Sequence, residues 1–279
     1  MKIYVGTSGW SYKEWKGSFY PPKLPADEML RYYGSRFPTV EVNNSFYRIP
    51  SEKVLAGWAE QVPEGFRFVL KASRRVTHNH RLADEDGSLA YFLRAVNPLG
   101  ERLGPTLFQL PPTFKKDLAR LQTFLDRLPK RWAAAMEFRH TSWFDNEVYD
   151  LLRSKDVALV AVDEDEGEGK GAPLVPTASW GYFRLRRSAY DTAALGAWAD
   201  RIRQQEWREA YVFLKHEEGS PTGPGPAGEL KQILGEAAGG DGDHDRTRDT
   251  GLEYGSSEVA APDIRNSRGG DHGDKPNLE

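Results

Sequence analysis

The feature that most constrains this chain is a recurrence of element type. Eight short strand-like runs, KIYVGTS, TVEVNN, FRFVLKAS, PTLFQLP, AAAMEFR, VALVAVD, GYFRLR and AYVFLKH, return at intervals of about 25–30 residues. Helical stretches lie between them, at residues 26–37, 51–61, 89–103, 117–127, 146–155, 193–204 and 227–236. Only the link between the sixth and seventh runs, EDEGEGKGAPLVPTASW, reads as a Gly-rich acidic loop. Strands that alternate with helices demand crossover connections and therefore a parallel sheet. Eight of them in about 235 residues fit a single α/β domain, a closed (β/α)8 TIM barrel. The alternative is a doubly wound open sheet, which normally carries a Gly-rich dinucleotide fingerprint after its first strand. GTSGWSYKEWKG has neither the GxGxxG spacing nor a GxSxG elbow.

A barrel covers both faces of every strand, so period-two alternation separates an axis-facing set from a helix-facing set. In TVEVNN, Val40 and Val42 then face the helices, while Glu41 and Asn43 face the axis. The same parity opposes Phe68 and Leu70 to Lys71 and Ser73, Phe108 to Gln109, Met136 and Phe138 to Glu137 and Arg139, Phe183 and Leu185 to Arg184 and Arg186, and Leu214 to Lys215. The sixth run ends in Asp163. Nearly every strand thus turns polar at its C-terminal end, where barrel enzymes place their chemistry. The expectation is a nearly charge-balanced ring of Glu41, Lys71, Glu137, Arg139, Asp163, Arg184 and Lys215. Buried charge is unfavourable unless paired, so the bland account is a self-satisfied ionic plug. An apolar layer would fill that space at lower desolvation cost, which favours a functional account.

Composition narrows the chemistry. No cysteine is present, which excludes disulfides, a thiol nucleophile and thiolate-ligated zinc. No apolar run reaches membrane-spanning length, and MKIYVGTSGW shows no apolar stretch of signal-peptide length, so the expectation is a cytoplasmic protein. The segment 236–279 is rich in Gly, Asp, Arg and Ser without hydrophobic period, and reads as a disordered tail after a barrel domain at 1–235. The tail holds 11 acidic and 5 basic residues, a net of −6; the whole chain is −3, so the barrel is +3. That near-neutral body does not advertise a nucleic-acid surface.

GTSGWSYKEWKGSFYPP, TVEVNNSFYRIPS, GFRFVLKASRRVTH, GPTLFQLPP, MEFRHTSWF and VFLKHEEGSPTGP occur in this order over residues 1–235. Together they resemble the YecE-like family, domain of unknown function 72. The resemblance implies a TIM barrel and a loose, fold-level relation to sugar isomerases; it implies no established activity and transfers no catalytic residue. One departure stands out. Many relatives carry Arg-x-His-Gly after the seventh strand, whereas this chain has Arg184, Leu185, Arg186 and Arg187, so a proton-transfer role for that position is not implied here.

The favoured reading is an enzyme acting on a small polar substrate, sugar-like or phosphorylated, in the manner of a sugar isomerase or hydrolase. Glu41, Lys71 and Glu137 are the catalytic candidates. Two carboxylates from different strands serve as acid and base if one is protonated, and a lysine serves as oxyanion stabiliser or amine nucleophile. Trp10, Asn43, Tyr47, Gln109, Arg139, Trp143, Asp163, Arg184 and Lys215 are the substrate-binding candidates, with aromatic faces for stacking and guanidinium groups for an anion. No motif assigns a cofactor, and no metal site is expected: His78 and His80 form an HxH in the wrong strand context, and a grouping of Asp163, Glu137, His216 and Glu217 around a divalent ion, better supported than the HxH, is still outweighed by a metal-free reading. His140 is expected to order the HTSW turn. The alternative is a non-catalytic module binding nucleic acid or a phosphate ligand through the basic RRVTHNHR loop and the rim aromatics.

Overall fold

The computed structural model describes residues 1–83, 86–165, 171–215 and 223–236. Eight parallel strands close in sequence order: β1 (Lys2–Thr7), β2 (Thr39–Val42), β3 (Arg67–Lys71), β4 (Leu103–Gln109), β5 (Ala134–Glu137), β6 (Ala158–Asp163), β7 (Trp180–Leu185) and β8 (Glu209–Leu214). Pairing of β1 with β8, from Lys2 opposite Glu209 to Thr7 opposite Leu214, seals the ring. Around it lie α1 (Met29–Gly34), α2 (Glu52–Gln61), α3 (Ser88–Ala95), α4 (Leu118–Asp126), α5 (Asn146–Ser154), α6 (Thr192–Arg203) and α7 (Gly225–Glu236). The structure is the TIM barrel that the strand–helix alternation requires.

Local chemistry explains where the helices begin. Ser51, Asp117, Asp145 and Asp191 each accept a backbone N–H from the first turn of α2, α4, α5 and α6, satisfying donors that have no partner within the helix. The described part of the link between β6 and β7 has no helix, as its Gly content predicts; residues 166–170 lie outside the described residues. Its returning segment lies against β6, with Val162 N donating to Ala172 O at 3.3 Å. A Cβ at Gly171 would stand 2.4 Å from Val162 O, so only glycine allows this approach.

The alternation divides the core in two. Val40, Val42, Phe68, Leu70, Phe108, Met136, Phe183 and Leu185 pack under the helices. Inside the barrel sit Tyr4, Val69, Leu107, Ala135, Val160, Tyr182 and Phe213, with Tyr4 stacked on Tyr211 at 4.7 Å and Trp180 nearby. The lower barrel is therefore solid and apolar, and the charged layer rests on it. All described residues belong to one compact unit, Met1–Gly240. No helix among them is long and apolar enough to cross a membrane. The expected tail, 236–279, lies outside the described residues apart from Glu236.

Candidate functional site

At the C-terminal end of the barrel, parity brings Glu41, Gln109, Glu137 and Arg184 into one buried layer. Arg184 is the centre. Its Nη2 donates to Glu41 Oε1 at 2.8 Å and its Nη1 to Glu137 Oε2 at 2.7 Å. Glu41 also accepts Tyr182 Oη–H on Oε2 at 2.7 Å, Ser8 Oγ–H at 2.9 Å and Asn43 Nδ2–H at 3.0 Å. Glu137 accepts Gln109 Nε2–H at 2.6 Å and Arg139 Nε–H at 3.2 Å. Ser8 is aimed by the turn after β1, in which Gly9 adopts φ of 109° and Tyr12 donates its hydroxyl to Ser8 O.

These contacts set the charge states. Burial pushes the Glu41 carboxyl up, but the Arg184 guanidinium and the hydrogen bonds from Tyr182, Arg184 and Ser8 outweigh it and hold the group below its ordinary value. Glu137 follows the same balance: burial opposes, Arg184 and Arg139 prevail, and the group falls to about 2. Both carboxylates are anions at neutral pH. Tyr182 is held strongly protonated by burial and by the Glu41 charge.

Lys71, at the end of β3, is different. Its ammonium lies 4.1 Å from the centroid of the Phe46 ring and makes no hydrogen bond or ion pair among the described residues. Burial first, then repulsion from Arg184, brings its amine down to about 8 against the pull of Glu137 and Glu41. His78 packs edge-on to the same Phe46 ring at 4.8 Å. Burial and the Lys71 charge lower it to about 4, so it is a neutral imidazole at this rim. The segment that carries His78 is a π-helical turn, Arg75–Asn79, followed by left-handed backbone at Arg81 and Leu82. Such irregular backbone is typical of functional loops.

Arg139 and Arg186 stand two residues beyond Glu137 and Arg184 on the same inward parity, a step of about 7 Å toward the mouth. The Arg139 side chain is 37% exposed, and only its Nε makes a hydrogen bond among the described residues. Arg186 Nε lies 3.4 Å from Glu164 Oε1, a charge contact without hydrogen-bond geometry, and is buried without a hydrogen-bond partner. Burial and the Arg184 charge lower the Arg186 guanidinium from its ordinary value. Lys215 follows β8, its backbone N–H bonded to Leu185 O.

Three expected site residues are placed elsewhere. Asp163 has the outward parity of β6, whose inward residues are Ala158, Val160 and Val162. It accepts Arg187 Nε–H at 2.8 Å, Tyr190 Oη–H at 3.0 Å and Trp198 Nε1–H at 2.9 Å, and so ties β6 to α6 instead of joining the ring. Trp143 is fully buried, stacked on the helix-facing Phe138 at 4.6 Å and donating Nε1–H to Phe114 O, which makes it an anchor of the barrel–helix seam. Trp10 meets Trp58 of α2 edge-on at 4.9 Å and packs with the outer core. Tyr47, by contrast, is 73% exposed beside Phe46, and Asn43 braces Glu41. His140 orders its turn as expected, accepting Ser142 N–H.

Of the basic loop, Arg75 and His80 pair with Asp86. Among the described residues no group of three or more His, Asp or Glu side chains converges; His216 and Glu217 lie outside them. The alternation reading passed over Tyr182, although GYFRLR gives it the parity of Arg184. Ser8 carries no periodic signal, and in the sequence His78 is marked by the HxH and by the basic RRVTHNHR loop, neither of which places it beside Lys71.

Comparison with known proteins agrees with the barrel fold. A family model described as protein of unknown function DUF72 matches residues 4–249. The UPF0759 protein YecE of Escherichia coli is 34% identical over 143 residues, 51% of this chain and 50% of that protein. The UPF0759 protein YunF of Bacillus subtilis is 32% identical over 161 residues, 54% of this chain and 56% of that protein. The chain thus spans about half the length of the curated relatives it matches. Among solved structures, a DUF72 family protein from Thermotoga maritima superposes with a TM-score of 0.72 at 29% identity, covering 84% of this chain and all of that one. One from Enterococcus faecalis gives 0.72 at 23% identity, covering 90% and all of that chain, a likeness of fold.

Proposed function

The chain belongs to the DUF72 family, and from that premise we propose that it is an enzyme that moves a proton on a small polar, sugar-like or phosphorylated substrate at the C-terminal mouth of its barrel. Lys71 is the titrating acid–base group, and Glu41 and Glu137 are fixed anions that hold the layer in register. One observation carries this reading: the Lys71 amine sits beside an otherwise ion-paired layer, makes no hydrogen bond or ion pair among the described residues, and has been brought down to about 8. General acid–base groups work best when they titrate near the operating pH.

The charge states favour one of the two sugar chemistries. Glycoside hydrolysis needs one carboxylic acid kept protonated by a raised pKa. Here Glu41 and Glu137 are both lowered. Proton transfer beside a carbonyl, as in isomerisation, needs one group that accepts and returns a proton and cations that stabilise the enolate oxygen. Lys71 and the neighbouring guanidinium groups supply both. The test is hydrogen exchange: sugars and sugar phosphates are incubated with the protein in heavy water and followed by NMR. The expected result is deuterium at the carbon next to a carbonyl, with the rate reduced about 100-fold or more in Lys71→Met. Exchange unaffected by that substitution in a folded variant would sink the proposal.

A further inference from the structure

Above the Glu41–Arg184–Glu137 layer, charge among the described residues is unbalanced. Within the layer two carboxylates face one guanidinium. Lys71, Arg139 and Arg186 add three cations around it, and among the described residues Glu164 alone offsets Arg186. Among those residues a surplus of positive charge remains on the inward side of the mouth. Its donors are also unmatched: Arg139 uses only Nε, the Arg186 guanidinium forms no hydrogen bond, and Lys71 faces a ring, all among the described residues. Buried or half-buried guanidinium groups without acceptors are unfavourable unless something supplies oxygen atoms. These groups come from β3 and from the ends of β5 and β7, so they converge from different sides of the ring. A carboxylate offers two oxygens in a plane, whereas a tetrahedral oxyanion can meet two guanidinium groups arriving from different directions.

We propose that the mouth holds a phosphate group of the substrate between the guanidinium groups of Arg139 and Arg186, leaving the Lys71 amine to face the reacting carbon. This rests on the proton-transfer reading and names its substrate class as a phosphorylated small molecule. Bound phosphate would supply the missing acceptors to Arg139 and Arg186 and neutralise the surplus.

The test is calorimetric titration of the full chain with inorganic phosphate at low ionic strength. Saturable binding is expected, weakened about tenfold or more in Arg139→Gln and in Arg186→Gln, and partly restored in Arg186→Lys, which keeps the charge. Arg74→Gln, which removes a nearby exposed charge outside the inward face, should leave binding unchanged. Absence of saturable binding, or an equal loss in Arg74→Gln, overturns the inference. The two readings fail separately. Lys71-dependent exchange on neutral sugars without phosphate binding would remove the phosphate site and leave the proton transfer. Phosphate binding through Arg139 and Arg186 with no exchange on any sugar phosphate would do the reverse.

Discussion

Glu41 and Glu137 share one guanidinium: from β2 and β5 they reach the two terminal nitrogens of Arg184 at 2.8 and 2.7 Å. Removing the shared cation leaves two buried anions facing each other. Arg184→Met is therefore expected to destabilise the barrel by about 3–5 kcal/mol, the range for breaking a buried pair from one side. Combining it with Glu41→Gln and Glu137→Gln should recover much of that loss. Denaturant midpoints of the single and triple variants measure this.

The same layer predicts acid sensitivity. Glu137 titrates near 2 in the fold, against an ordinary 4.5. Between those values the unfolded chain binds a proton that the native state does not, so stability is fully present above about pH 4.5 and declines as pH falls toward 2. Glu137→Gln should flatten this limb of a stability–pH curve. An unchanged slope would show that the carboxylate is not held as an anion.

Lys71 should act in the opposite pH range. Its amine is lowered from 10.5 to about 8, so between those values the unfolded chain binds a proton that the folded chain lacks, and stability rises with pH across that window. Below pH 8 the charged amine is a burden on the fold. Lys71→Met is expected to raise stability at pH 7 by about 1–3 kcal/mol while lowering the proposed exchange about 100-fold or more. Amine-specific labelling at pH 8 should reach Lys71 ahead of the surface lysines.

Asp163 and Trp143 should behave as framework. Asp163→Ala strands the Trp198 and Tyr190 donors and the Arg187 charge, with an expected loss of about 1–3 kcal/mol. Trp143→Ala empties a site stacked on Phe138, with an expected loss of about 3–5 kcal/mol. Neither should change phosphate affinity in protein that remains folded. Tyr47→Ala, at an exposed position, should leave the thermal midpoint within about 1 °C of the parent.

How much of this the sequence revealed follows from which physical signal each residue carries. Period-two alternation assigned Glu41, Lys71, Gln109, Glu137 and Arg184 to the axis, because a pleated strand has no other way to dispose of neighbouring side chains. The same rule places Asp163 outward, once Ala158, Val160 and Val162 are recognised as the inward set of an all-apolar run; with both sides apolar, the parity of that run has no contrast to fix it. Trp143 and Trp10 follow strands in the loops, where no period applies, and an aromatic there is drawn either to a ligand or to the nearest uncovered core. The core is closer for both. Ionic pairing was expected in general, but that a single arginine holds both glutamates depends on side-chain reach across the ring, which no local pattern encodes.

The inward apolar face of β6, continued by Ala172 over Val162, gives the mouth one hydrocarbon wall among charged ones. Any guest seated there meets grease on one flank and salt on the others. Two enantiomers with identical groups cannot satisfy both flanks while keeping an anionic end on the same arginines. On the proposed function, handedness would follow from a strand that contributes no polar atom to the mouth, and one half of a racemic sugar phosphate should exchange ahead of the other.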